Sequence, residues 1–134
     1  MGAVEFFHGY TYSAIPVSMA AGLAMQEILK KENLIQRSKD MSPYFLDGLF
    51  SLKDIDIITD IRGYGMMGGI DILLDERVGK AGYACFKKLF EAGLSLKATG
   101  DCLIVAPPFI CDKKHIDEII EKLRTGITNY MKSK

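Results

Sequence analysis

Charge is missing from one end of this chain. Of seventeen basic and seventeen acidic side chains, only Glu5 lies before Glu27. The stretch Val4-Glu5-Phe6-Phe7-His8-Gly9-Tyr10-Thr11-Tyr12-Ser13 is aromatic and hydroxyl-rich, and runs into Ala14-Ile15-Pro16-Val17-Ser18-Met19-Ala20-Ala21-Gly22-Leu23-Ala24-Met25. Ser13 is placed to cap a helix there, and proline is tolerated in a first turn because its missing N–H has no intrahelical partner. The helix stays apolar or small on every side until Gln26, with its solvated turns at Glu27, Lys30, Lys31 and Glu32. A helix apolar all round is one buried all round. It is therefore either a central core helix or a segment shaped to pack against protein that this chain does not contain.

The remaining residues have an ordinary globular composition. At 134 residues with 49% apolar side chains, one domain with its own core is expected. Balanced charge and a pI near 6.7 leave no electrostatic footprint for nucleic acid or an anionic membrane. No apolar run approaches the roughly 20 residues that span a bilayer. The three cysteines, Cys85, Cys102 and Cys111, are odd in number and not in CxxC spacing, which argues against disulfides or zinc and for a cytoplasmic protein.

Periodicity gives the element order. Asn33–Phe50 is helix-compatible, with Pro43 marking a kink or a second start after Ser42. Asp54–Ile61 alternates with Ile55, Ile57, Thr59 and Ile61 on one face, and Ile70–Asp75 alternates again. Glu76–Ala92 reads as a helix with Val78, Ala81, Cys85, Leu89 and either Phe86 or Phe90 inward, stopped by Gly93. Leu94–Lys97 and Leu103–Ala106 are short strands around Thr99-Gly100-Asp101. Asp112 can cap a last helix with the stripe Ile116, Ile119, Ile120, Leu123, Ile127 and Met131. The order β-β-α-β-β-α after the first helices predicts an α+β fold, with helices on one face of a mostly antiparallel sheet.

Few residues look chemical. Gly63-Tyr64-Gly65-Met66-Met67-Gly68 matches G-x-G-x-x-G, but a dinucleotide site needs a helix after the loop, and a strand follows here. A glycine-rich hairpin, or a bulge where backbone passes close to another element, is the better reading. His8 and His115 stand apart from metal-spaced partners, and the acidic groups Asp54/Asp56, Asp71/Asp75 and Asp117/Glu118/Glu121 read as solvated surface. Cys85 and Cys102 read as core or near-core thiols. No metal ligands and no complete catalytic set are visible.

Three segments carry a resemblance. Phe7-His8-Gly9-Tyr10-Thr11-Tyr12-Ser13-Ala14-Ile15-Pro16-Val17 resembles the HG-[FY]-TYSGHPV segment of class III pyridoxal-phosphate aminotransferases, most closely the ω-amino acid (β-alanine):pyruvate group. Ile61-Arg62-Gly63-Tyr64-Gly65-Met66-Met67-Gly68-Gly69-Ile70 resembles the family's RGxGLMxGIE strand pair. Gly93–Asp101 and Ile104–Ile110 resemble its GL-x-x-R-x-x-GD and PPL/F-I ending. The resemblance implies the C-terminal part of a fold-type I subunit. Residues 1–32 would be a dimer- and cofactor-contacting segment with its connecting helix, and residues 33–134 the small domain. It implies pyridoxal 5'-phosphate as cofactor, an amine and a keto acid as substrates, and a homo-oligomer or a separate large-domain fragment as partner.

The family's cofactor-bonding lysine, its pyridine-nitrogen aspartate and its phosphate loop lie upstream of the first motif, so the chain alone is expected to be inert and no catalytic residue carries over. Tyr10 and Thr11 resemble the groups that reach a neighbouring subunit's cofactor phosphate. Lys97 stands where the family usually has the arginine that clamps a substrate carboxylate. Ala14 and Ile15 replace the glycine and histidine of SGHP. The rival reading is a stand-alone small-molecule-binding or dimerisation module without enzymatic activity.

Overall fold

A computed structural model describes residues 9–73 and 79–133 of the chain. It divides into two compact units between Asn33 and Leu34.

The first unit is a turn followed by helix α1 (Pro16–Lys31). Pro16 opens the helix after Ile15, which caps it without a side-chain hydrogen bond. Ser13 is thus not the cap. Its backbone N–H instead donates to the Tyr10 carbonyl at 3.0 Å, closing a turn over Tyr10–Ser13. Asn33, at φ 51°, ends the unit in the left-handed region that asparagine tolerates better than most residues. No residue of α1 is buried, so it is not a core helix of this chain. Phe7 and His8 of the aromatic segment lie outside the described residues.

The second unit runs α2 (Leu34–Phe50), a 3₁₀ turn (Ser51–Asp54), β1 (Ile58–Tyr64), β2 (Met67–Ile72), α3 (Ala81–Glu91), β3 (Lys97–Thr99), β4 (Cys102–Val105) and α4 (Lys113–Lys132). The fold is α+β, as expected, and all three strand pairings are antiparallel in the order β1-β2-β4-β3. Pro43 lies inside an unbroken α2. It sits on the exposed side, where water can take the Lys39 carbonyl that a proline leaves without a donor.

The first strand begins later than alternation predicts. Ile55 and Ile57 are buried, but in the irregular segment after the 3₁₀ turn. Pairing slips by one residue between Ile58 and Asp60, and this bulge turns Thr59 out. The β1–β2 connection is a two-residue hairpin with Gly65 at φ 60°, a sign that suits the right-handed twist of the flanking strands. The other glycines of the motif admit α2. A Cβ on Gly63 would strike the Leu46 side chain, and one on Gly68 that of Leu49. The second strand ends at Ile72 rather than Asp75; Leu74, Asp75, Glu76 and Val78 lie outside the described residues.

Helix α3 buries Ala81, Cys85 and Leu89, with Phe86 half-buried and Phe90 exposed. Its last turn closes by Gly93 N–H to Phe90 O at 2.9 Å and Leu94 N–H to Leu89 O at 2.9 Å, with Gly93 at φ 80°. Helix α4 starts in a reciprocal cap. The Asp112 carboxylate accepts from His115 N–H, and His115 Nδ1 accepts from Asp112 N–H. The core gathers Phe45, Leu49, Leu52, Ile70, Leu89, Leu103, Ile116, Leu123 and Ile127 between the helices and one sheet face.

Candidate functional site

The turn of the first unit presents Tyr10 and Thr11 to solvent. Ala14 leaves it at φ 61°. That conformation brings an L side chain close to the following carbonyl and costs about 1–2 kcal/mol, while glycine adopts it freely. Ala14 therefore holds a path that would suit glycine. Ala14→Gly is expected to populate the Tyr10–Ser13 turn more strongly, slowing exchange of the Ser13 amide about fivefold for ~1 kcal/mol regained. Unchanged exchange would show that the turn carries no such strain.

Lys97 belongs to the second unit, and its place follows from strand register. Lys97 pairs with Ile104, Ile104 with Gly69, and Gly69 with Arg62. Directly opposed residues share a sheet face, so these four form one row across all four strands. The next row is Thr99, Cys102, Asp71 and Asp60. Leu103, Val105, Ile70, Ile72 and Ile61 point the other way and are buried under the helices. Lys97 thus stands at one end of an open sheet face, with its ammonium in solvent.

At the other end Arg62 is fixed by two carboxylates. Its Nη1 bonds Asp71 at 2.6 Å and Asp60 at 2.7 Å, and its Nη2 bonds Asp71 at 3.1 Å. The guanidinium holds the Asp71 carboxyl below its ordinary range, and the carboxylates raise Arg62 further above its own. Cys102 accepts from Arg62 Nη2 at 3.5 Å, yet burial, followed by a hydrogen bond to Asp71, pushes its thiol pKa up. Cys85 is raised to about 12 by burial alone. Neither is a ready thiolate. A shallow trough of about 520 Å³ runs over this end, lined by Tyr64, Met67, Gly69, Cys102 and Ile104. Among the described residues no three His, Cys, Asp or Glu side chains gather as metal ligands.

Asp101, the acid of the GD dipeptide, lies beside this face but serves the fold. Its carboxylate accepts from Gly79 N–H at 2.6 Å and Ala81 N–H at 3.0 Å, capping α3 from the β3–β4 turn. Sequence reasoning sees only a turn there, because the capped helix starts twenty residues earlier.

The family profile described as aminotransferase class III matches residues 1–127. The chain belongs to the class III aminotransferases. Among its relatives, an omega-aminotransferase of Caulobacter vibrioides is 38% identical across 90% of this chain, but the match covers 28% of that protein. The beta-alanine–pyruvate aminotransferase of Pseudomonas aeruginosa is 39% identical across 89% of this chain and 27% of its own length. The solved adenosylmethionine-8-amino-7-oxononanoate aminotransferase of Methanocaldococcus jannaschii superposes with a TM-score of 0.80 at 32% identity, covering 93% of this chain and 30% of that one. The chain thus spans less than a third of these relatives' length. Class III aminotransferases work with pyridoxal phosphate.

The residues present fit one part of that cofactor. Thr11 offers a hydroxyl and a backbone N–H that hydrogen-bond to no described residue, on an uncharged turn. Such neutral donors suit a phosphate. The covalent bond needs a lysine, and the first ones in the sequence, Lys30 and Lys31, lie in the last turn of α1. Tyr10 and Thr11 belong to one unit and Lys97 to the other.

Proposed function

We propose that this chain is the C-terminal part of a cytoplasmic pyridoxal-phosphate aminotransferase that moves an amino group from an ω-amino acid or amine to a keto acid such as pyruvate, and that it is inert by itself. Residues 1–32 go with the absent large domain, and residues 33–134 form the small domain. The partner is a second subunit or a large-domain fragment, which covers the bare apolar α1. The observation that carries the reading is the class III match over nearly the whole chain, with relatives named as an omega-aminotransferase and a beta-alanine–pyruvate aminotransferase.

Bound pyridoxal phosphate would supply the carrier chemistry for moving an amino group between an amine and a keto acid. This chain's own residues bind and orient. The Thr11 hydroxyl and N–H donate to the phosphate, beside Tyr10. Lys97 holds the substrate carboxylate as a point charge, without the planar two-pronged grip of an arginine. The open sheet face leaves that ammonium clear of covering side chains.

The test supplies the missing part by fusion to a relative's large domain. The isolated chain mixed with pyridoxal phosphate is expected to show no visible absorbance band from a lysine-bound cofactor, and no transamination of β-alanine with pyruvate. In the fusion, Thr11→Ala removes a hydrogen bond to a charged group worth about 1.5–3 kcal/mol, so cofactor affinity should fall roughly ten- to a hundredfold. Lys97→Arg should lower KM for the keto acid and leave an amine without a carboxylate unaffected. If Lys97→Arg moved cofactor affinity as much as Thr11→Ala, or changed nothing for carboxylate substrates, Lys97 would not be the substrate anchor.

A further inference from the structure

Strand β1 ends the sheet, and no described strand pairs with its outer side. Because Tyr64 and Met67 flank a two-residue hairpin loop, the N–H groups of Asp60, Arg62 and Tyr64 face β2. Those of Ile61 and Gly63, with their carbonyls, face the outer side, where no described strand pairs. Such an edge is a template for another strand, and charged side chains usually block it. Here the charges are Asp60 and Arg62, one on each side of Ile61, both on the open face and 55% and 56% exposed.

That arrangement is self-complementary. If a second β1 runs antiparallel with Ile61 opposite Ile61, the outward N–H and C=O groups of both strands meet. Asp60 then stands opposite Arg62 of the other copy, and Arg62 opposite its Asp60. The same two charges that repel an indifferent strand select this one. Helix α2 packs on the other sheet face, with Leu46 against Gly63 and Leu49 against Gly68, opposite the face that carries Asp60 and Arg62. We propose that two copies of this chain associate through their β1 edges, antiparallel about a two-fold axis at Ile61, to form one continuous sheet. This contact lies in the second unit and is independent of the aminotransferase reading and of any association through α1.

Sedimentation of the intact chain across a concentration series tests it. The unaltered chain should dimerise reversibly. Asp60→Lys sets an ammonium against Arg62 of the other copy, and Arg62→Glu sets a second carboxylate against its Asp60. Each variant alone should therefore dimerise about tenfold more weakly or worse, since like charges directly opposed on a sheet destabilise the pairing. An equimolar mixture of the two restores both unlike pairs and should recover the dimer. A mixture that stays monomeric, or a dimer indifferent to both substitutions, overturns the proposal. Should Arg62→Glu prevent folding, amide exchange in the unaltered chain decides. Ile61 and Gly63 should become protected as concentration rises while Arg62 and Tyr64 do not change, and equal behaviour of the two sets overturns it.

Discussion

Replacing Phe45 by alanine is expected to destabilise the second unit by about 3–5 kcal/mol. Phe45 is fully buried on α2, in the cluster with Leu49, Leu52, Ile70 and Leu123. Truncation loses the transfer free energy of the ring and leaves a cavity, because α2 is held from closing it. Gly63 and Gly68 already bring the helix as near to the sheet as its Leu46 and Leu49 side chains allow. Urea unfolding of residues 34–134, followed by far-UV circular dichroism, measures the effect. A loss below about 1.5 kcal/mol, the range of volume-conserving swaps, would mean that the core closes on the gap and is packed less tightly than described.

Gly82→Ala should act nearly as strongly, and against the usual sign. In an exposed helix interior alanine is better than glycine by about 1 kcal/mol. Gly82 is buried in the first turn of α3, and a methyl there would land on the carbonyl oxygen of Gly100 and the backbone of Asp101. Neither can yield separately. Asp101 grips the N-terminus of α3 through Gly79 and Ala81, so moving the turn away breaks the cap, worth about 1 kcal/mol or more in its own right. Overpacking with cap loss therefore predicts a fall of about 3 kcal/mol, or some 12–24 °C in Tm for a unit this size. Asp101→Ala should cost about 1–2 kcal/mol by itself and be less than additive with Gly82→Ala, because both disturb one contact. Full additivity, or a stabilised Gly82→Ala protein, would refute this account of the helix start.

Much of this architecture is legible in the residues themselves, wherever the physics is local. Asp112 and His115, three residues apart, share one turn, so α4 announces its own start, and its stripe faces inward as periodicity requires. Gly93 stops α3 in the left-handed conformation that only its neighbours within one turn need. The order of elements, the antiparallel sheet and the family motifs are legible for the same reason. The scarcity of charge before Glu27 left α1 either a core helix or a segment for other protein to cover, and its exposure removes the first reading.

Tertiary structure decided what depends on distant partners. Ile55 and Ile57 alternate like a strand and are buried like one, yet the core buries them in irregular backbone, and the bulge at Thr59 resets the register after them. Tyr130 is buried on α4 outside the predicted stripe, and Phe90 is exposed where the stripe of α3 permitted burial. Above all, the sequence sees Lys97, Ile104, Gly69 and Arg62 as four unrelated positions, and Asp101 as a turn residue. Strand register puts the four in one row, and chain reversal brings Asp101 to the start of α3. Capping and turn formation act within a few residues and leave their mark in composition. Register and helix–sheet contact are set by which buried surfaces fit, and that fit exists only once the chain has folded.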